Sequence, residues 1–254
     1  MIKSEVPRSR TVLTYSFTLD QVVITGGIES LPTLSTIRIS SLKCQTVHLD
    51  LWGSVGGNLM GDTPVVCGGI NATTKETSNK CVHLVMPATK TLPNLQTARV
   101  FAASAVLTNE TILWVTGGYD SAQENPLDST ELIDIERGTS ANGPKLPMPL
   151  LFHCLVQLNN DQVLLAGGMN DLEEAVDDTY LFDYPSRTWK DGPKLNYARY
   201  GHGCGSFFNE TSYGHLELVV LVASGKNSRQ ENLPVEQLNM IHDKNWHLGK
   251  PNQT

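Results

Sequence analysis

Long apolar runs are missing from this chain. No stretch approaches the roughly 18 residues that a membrane-crossing helix needs. The longest apolar piece, Leu216 to Ala223, is interrupted by Glu217 and reads as a buried strand. Membrane insertion is therefore not expected. Charge is also scarce, at 18% of residues against the usual level of about 25%, while 40% are hydrophobic. That balance excludes a disordered chain, which needs high charge and few apolar groups. Cations are scarcer than anions: 19 Lys and Arg face 26 Asp and Glu, a formal charge of −7. Without basic clusters, binding to nucleic acid or an anionic membrane has no electrostatic basis. The opening Met1-Ile-Lys-Ser-Glu-Val-Pro-Arg8 has no apolar core of the secretory type, which tilts the expected compartment toward the cytoplasm.

Catalytic signatures are missing as well. There is no His-Glu-x-x-His, no phosphate loop of the Walker kind and no Gly-x-Ser-x-Gly elbow. Gly201-His-Gly-Cys-Gly205 opens a strand and not a helix, so it lacks the amide fan that holds pyrophosphate. No catalytic residue, cofactor or metal is assigned. His153 and His202 hold equivalent places with Cys154 and Cys204 near them, a zinc-compatible set of ligand types. No short Cys-x-x-Cys spacing accompanies them, and repetition alone explains their equivalence.

What is present is a repeat, the feature to seek before any other. Short apolar runs end in paired glycines: Val22 to Gly26-Gly27, Pro64 to Gly68-Gly69, Leu113 to Gly117-Gly118 and Val163 to Gly167-Gly168. Val220-Leu-Val-Ala-Ser224-Gly225 is a weaker fifth. The second glycines are spaced 69 − 27 = 42, 118 − 69 = 49, 168 − 118 = 50 and 225 − 168 = 57 residues apart. Trp189 follows Gly168 by 21 residues and Trp246 follows Gly225 by 21. Thr130-Glu-Leu-Ile-Asp-Ile135 and Thr179-Tyr-Leu-Phe-Asp-Tyr184 share Thr, Leu and Asp in register. Each unit contains about four strand-like pieces separated by turn residues, such as Asn159-Asn160-Asp161 and Pro185-Ser186. No segment sustains a helical period. The glycines serve a sharp turn at φ > 0 and a close backbone approach.

Four-stranded units at this period bury their faces against one another radially. On these residues the chain resembles the kelch-repeat β-propellers, over about Val6 to Gly249. In the kelch pattern the diglycine is followed by a Tyr-bearing strand and a late Trp, which Tyr180, Trp189 and Trp246 match. His48, Lys90 and Thr139 stand where the first three units lack that Trp. The expectation is an all-β, single-domain propeller over 1–254, with about five blades at 7–47, 48–94, 95–145, 146–195 and 196–250. It is either a small closed ring or an incomplete six-bladed one.

The resemblance implies a non-catalytic protein-protein interaction module, an adaptor or scaffold that presents a loop-built rim to a protein or peptide partner. The alternative is a small propeller enzyme acting on a sugar at the channel mouth, an oxidase or mutarotase relative. Arg10, Arg99 and Arg199 each stand just before a first strand. On a ring they would converge on one rim and clamp an acidic peptide segment through bidentate contacts. The competing reading is that each Arg braces a neighbouring blade through backbone carbonyls. The acidic run Asp171-Leu-Glu-Glu-Ala-Val-Asp-Asp178 reads as a solvated loop or a contact for a basic partner. Five cysteines leave at least one thiol free, and Cys67 and Cys81 flank one hairpin. Sequons at Asn71, Asn109, Asn209 and Asn252 fall in turns or the tail, which keeps an extracellular origin open.

Overall fold

The structure, a computed structural model, describes residues 9–16, 21–28, 33–38, 43–48, 51–59, 63–83, 92–107, 111–210, 214–229, 231, 233–240 and 243–249. The chain divides into two compact units, Met1–Pro149 and Leu150–Thr254.

In the first unit, β1 (Ser9–Ser16), β2 (Gln21–Ile28), β3 (Thr33–Arg38) and β4 (Lys43–His48) form one four-stranded sheet. Next come β5 (Leu51–Trp52), β6 (Val55–Leu59), β7 (Thr63–Cys67), β8 (Ile70–Asn71) and β9 (Cys81–His83). Of these, β6-β7-β9 form a three-stranded sheet and β5-β8 a short pair. Then β10 (Ala103–Leu107), β11 (Ile112–Thr116), β14 (Thr130–Asp134) and β15 (Thr139–Asn142) form a second four-stranded sheet. The small pair β12 (Tyr119–Asp120) and β13 (Asn125–Pro126) decorates its central connection.

The second unit holds two four-stranded sheets. One is β16 (Cys154–Gln157), β17 (Gln162–Ala166), β18 (Thr179–Asp183) and β19 (Thr188–Asp191). The other is β20 (Gly203–Glu210), β21 (Leu216–Ala223), β22 (Glu236–Asn239) and β23 (His247–Leu248). Every sheet of three or more strands is antiparallel and runs in chain order, the form of a propeller blade. The described residues thus give an all-β, propeller-like fold with four complete four-stranded blades and no helix. The interval 48–94 shows three blade strands among the described residues, and Lys90 lies outside them.

In the sheets of β10–β15 and β16–β19 burial peaks on the second strand and falls toward the fourth, whereas β20 is largely exposed. In both β11 and β17 the last four of five residues are buried, as continuous apolar runs predict for strands covered on both faces. The outer strands β15 and β19 are polar and largely exposed. One core cluster in the first unit gathers Val65, Leu95, Leu113, Val115 and Ile133. Another in the second unit packs Val156, Leu164, Val220, Val222, Leu238 and Trp246.

The diglycines close the inner strands in the left-handed region: Gly167 has φ +57° and Gly168 φ +122°. Ser224 takes the first-glycine place of the last sheet at φ +62°. A Cβ on Gly168 would lie 2.8 Å from His153 Cβ and 3.2 Å from Leu151 O. One on Gly167 would lie 2.7 Å from Arg199 O. The first repeat differs, because Gly26 and Gly27 lie inside β2, with Gly26 opposite Thr11. Replacing Gly168 with Val is expected to cost roughly 2–5 kcal/mol, from a β-branched residue at positive φ and from overpacking. Urea unfolding with an unchanged midpoint would contradict that role.

Candidate functional site

Arg99 and Arg199 occupy one place in two sheets. Arg99 lies 103 − 99 = 4 residues before β10, and Arg199 lies 203 − 199 = 4 before β20. Each backbone carbonyl turns toward the preceding diglycine. Gly69 N–H donates to Arg99 O at 2.7 Å, and Gly168 N–H donates to Arg199 O at 2.8 Å.

Each guanidinium turns the other way, into its own sheet. Arg99 Nη1 donates to Gly117 O and Ser129 O, both at 2.9 Å, and its Nη2 reaches Glu131 Oε1 at 2.8 Å. Arg199 donates to Ser224 O at 2.8 Å, Pro234 O at 2.9 Å and Glu236 Oε1 at 2.6 Å. Both ion pairs are fully buried. The carboxylates also collect the lead-in segments. Thr97 N–H donates to Glu131 Oε1 at 2.9 Å, and Asn196 N–H to Glu236 Oε2 at 2.6 Å. Burial draws both guanidiniums below the ordinary arginine value while the carboxylates oppose it, and both stay charged.

The guanidiniums brace their own sheets and not the neighbouring blade, and only the arginine carbonyls reach the preceding sheet. The terminal nitrogens of Arg99 and Arg199 are bonded inside the protein, so neither is an open clamp for an acidic peptide. Arg10 lies within β1, between the pairs Ser9↔Ile28 and Thr11↔Gly26, and not ahead of the strand. The register explains the difference. Val12 pairs with the residue before the diglycine, as Ala103 and Gly203 do. Four residues back from Val12 stands Arg8, outside the described residues.

Glu131 and Glu236 were not singled out in the sequence, yet a signal exists. Both face the residue two before the diglycine, Val115 and Val222. In the fourth repeat that register holds Tyr180, opposite Leu165, and the Arg place holds Leu150. Arg and Glu are both present in the third and fifth repeats and both absent from the fourth, while the first repeat, with Arg8 at the Arg place, has Ser35 at the Glu place, opposite Ile24.

His153 and His202 are buried beside the same turns. His202 Nε2 donates to Ala166 O at 3.0 Å, which fixes its tautomer, and a Cβ on Gly167 would touch its ring at 2.8 Å. Burial pulls His153 down to about 3, with His202 adding to the effect. Burial pulls His202 down to about 4, with Arg199 reinforcing it. Cys154 and Cys204 form a disulfide between the first strands of adjacent sheets, at 2.09 Å and 50 residues apart in sequence. Their sulfurs are bonded to each other, so the His/Cys quartet is no thiolate zinc site. Cys67 and Cys81 form a second disulfide at 2.02 Å. Among the described residues, no group of three or more His, Cys, Asp or Glu is placed to hold a metal.

The aromatics pack. Trp246 is buried and its Nε1 donates to Pro193 O at 2.8 Å. Trp189 packs on Phe182 at 4.8 Å and edge-on to Tyr180 at 6.5 Å.

The loops after the diglycines share a turn. Asn71, Asp120, Asn170 and Asn227 each stand two residues past the second glycine, and each side-chain oxygen accepts backbone N–H groups ahead. The acidic run is partly pinned, because Lys194 binds Asp177 at 2.9 Å and Asp178 at 3.0 Å. Leu172 at its tip is 72% exposed. Asn71 and Asn209 are described; Asn109 and Asn252 lie outside the described residues.

No protein-family model matches the chain, and no curated protein matches it. The solved structure of YjhT is similar, with a TM-score of 0.73 at 11% identity, covering 96% of this chain and 84% of that one. At that identity the likeness establishes a shared fold alone.

Two outcomes follow. Arg199→Ala leaves Glu236 buried without its partner and is expected to cost about 3–5 kcal/mol, with Arg199→Lys in between because ammonium cannot fork. A denaturation loss below about 1 kcal/mol would show that the guanidinium does not hold the turn. The histidines set the acid limb. Unfolded histidine takes a proton near 6.5, whereas the folded pair resists until pH about 4 for His202 and about 3 for His153. The unfolded chain thus binds more protons below about 6.5, and stability falls as pH falls, by up to about 1.4 kcal/mol per pH unit for each histidine. His202→Gln should flatten that slope in chemical unfolding at pH 7 and 5; an unaltered slope would reject the assignment.

Proposed function

We propose that this chain is a kelch-type propeller protein with five blades, acting as a non-catalytic module that binds a protein partner. The diglycine spacing and the five meander sheets support the repeat type and count. The interaction reading is carried by the β20–β21 hairpin. Phe208 is 65% exposed and Leu216 is 61% exposed. The register Phe208↔Leu218 and Glu210↔Leu216 puts Phe208, Leu216 and Leu218 on one face near the tip. Exposed aromatic and leucine groups on a rigid hairpin are the kind of anchors that dominate protein interfaces. Arg99 and Arg199 are occupied within their own sheets and do not offer a clamp for an acidic peptide.

The sugar-enzyme alternative has less support. His153 and His202 are buried, stay neutral through the physiological range and pack against glycine turns.

The compartment we assign is an oxidising one, outside the cytosol. Two disulfides favour it over the cytoplasmic expectation, and the sequon residue Asn209 is exposed on β20.

The test is capture of binding proteins by the intact chain and by a Phe208→Asp/Leu216→Asp variant. The variant should keep the parent unfolding midpoint and lose a specific partner. Equal capture by both would reject the hairpin as the binding surface.

A further inference from the structure

The hairpin of β20 and β21 is longer than its counterpart in the preceding sheet. Cys154↔Ala166 matches Gly203↔Ala223, so the end of β16 at Gln157 corresponds to Ser206. β20 runs on for 210 − 206 = 4 residues, Phe207, Phe208, Asn209 and Glu210, all exposed. Successive side chains on a strand point to opposite faces. Phe207 and Asn209 therefore share one face, with Cα atoms about 7 Å apart, and Phe208 lies on the other. On the shared face Val219, opposite Phe207, is only 7% exposed, while Phe207 itself is 43% exposed. Glu217, opposite Asn209, accepts from Asn239 Nδ2 at 2.6 Å. In the sequence Asn209-Glu210-Thr211 is a sequon. An aromatic ring thus stands two residues before a glycosylation acceptor, on the same side of one strand.

We propose that Asn209 carries an N-linked glycan whose first sugar packs on the Phe207 ring. This modification rests on the oxidising compartment proposed above, because sequons are read in secreted chains, where disulfides also form. The donor is an oligosaccharide on a polyisoprenyl pyrophosphate. Its sugar C1–O bond breaks, a C1–N bond to Asn209 Nδ2 forms, and one amide proton leaves with the pyrophosphate. The ring gives the sugar a place to rest. A pyranose has an apolar face of C–H groups, and the face of an aromatic ring is its electron-rich side. Stacking the two takes apolar surface out of water. The other described sequon residue has no such neighbour. Asn71 is half-buried, follows Gly69 by two residues, and its Oδ1 accepts from Thr73 and Thr74 N–H at 2.8 and 2.9 Å. Because Phe208 faces the other way, the glycan leaves the proposed binding face of the hairpin open.

The test places the intact chain behind a cleavable secretory leader in eukaryotic cells. Enzymatic release of N-glycans converts an occupied Asn to Asp, so peptide mass mapping reads Asn209, and thiol labelling reads the disulfides. The expected result is an occupied Asn209 in a chain with Cys154 and Cys204 joined. Joined cysteines with a bare Asn209 overturn the proposal and leave the compartment reading standing. Free Cys154 and Cys204 thiols in that lumen sink the compartment reading, and the proposal with it. Packing has its own readout. Asn209→Gln should lower the unfolding midpoint of the glycosylated chain by about 2–4 °C, and should not lower it in a Phe207→Ala background. Equal shifts in both backgrounds overturn the contact with Phe207.

Discussion

A backbone contact sets the terms for the rest of this protein. In two inner turns the second glycine gives its N–H to a carbonyl in the segment leading to the following sheet, Gly168 to Arg199 O and Gly69 to Arg99 O. That approach leaves no room for a side chain, and the turn itself needs positive φ. An arginine on the lead-in segment then works in two directions. Its carbonyl holds the sheet before it, while its guanidinium holds the inner turn of its own sheet and a glutamate on the third strand. One residue thus rivets two sheets. A buried ion pair is poor evidence of net stabilisation, because desolvation offsets its attraction. What it provides here is registry between the lead-in segment, the inner turn and the third strand of its own sheet.

The repeat was legible because glycine leaves a mark that no other residue can imitate at these turns. The strands were legible because covered strands such as Val163-Leu-Leu-Ala166 read as unbroken apolar runs. The arginines were visible as residues, but their partners were not. The glutamates lie 131 − 99 = 32 and 236 − 199 = 37 residues downstream, on the far side of loops of different length. Only strand register equates them. The same register moves the first-sheet equivalent from Arg10 to Arg8, a shift of two that keeps the strand face and so escapes any pattern of alternation. Ser224 shows the converse. A non-glycine residue holds the left-handed place at φ +62°, which weakened the fifth repeat in the sequence without weakening its turn.

The paired sheets of the second unit show why the histidines and cysteines were hard to interpret from spacing alone. Equivalent positions in adjacent repeats lie side by side, so any residue type placed there recurs as a cluster. The cysteines became a covalent tie. In the chain-entropy picture, closing a loop of 50 residues is worth roughly 4 kcal/mol. The histidines became space-filling groups over glycine backbones, held neutral by burial. A metal site and a packed core draw on the same residue types, and only bonded distances separate them.

That consumption of polar chemistry by the scaffold bears on function. The side chains best suited to catalysis or anion capture, two arginines and two histidines, are turned inward and bonded or packed. Beside its exposed charged groups, the second unit also offers apolar ones outward: Leu172 on its acidic loop, Phe208 and Leu216 on the hairpin, and Phe207 beside two bare glycines. Such surfaces gain from being covered by another protein, since burying apolar area is the main favourable term in association. Polar groups here hold the sheets together, and the exposed apolar groups are what the proposed binding reading draws on.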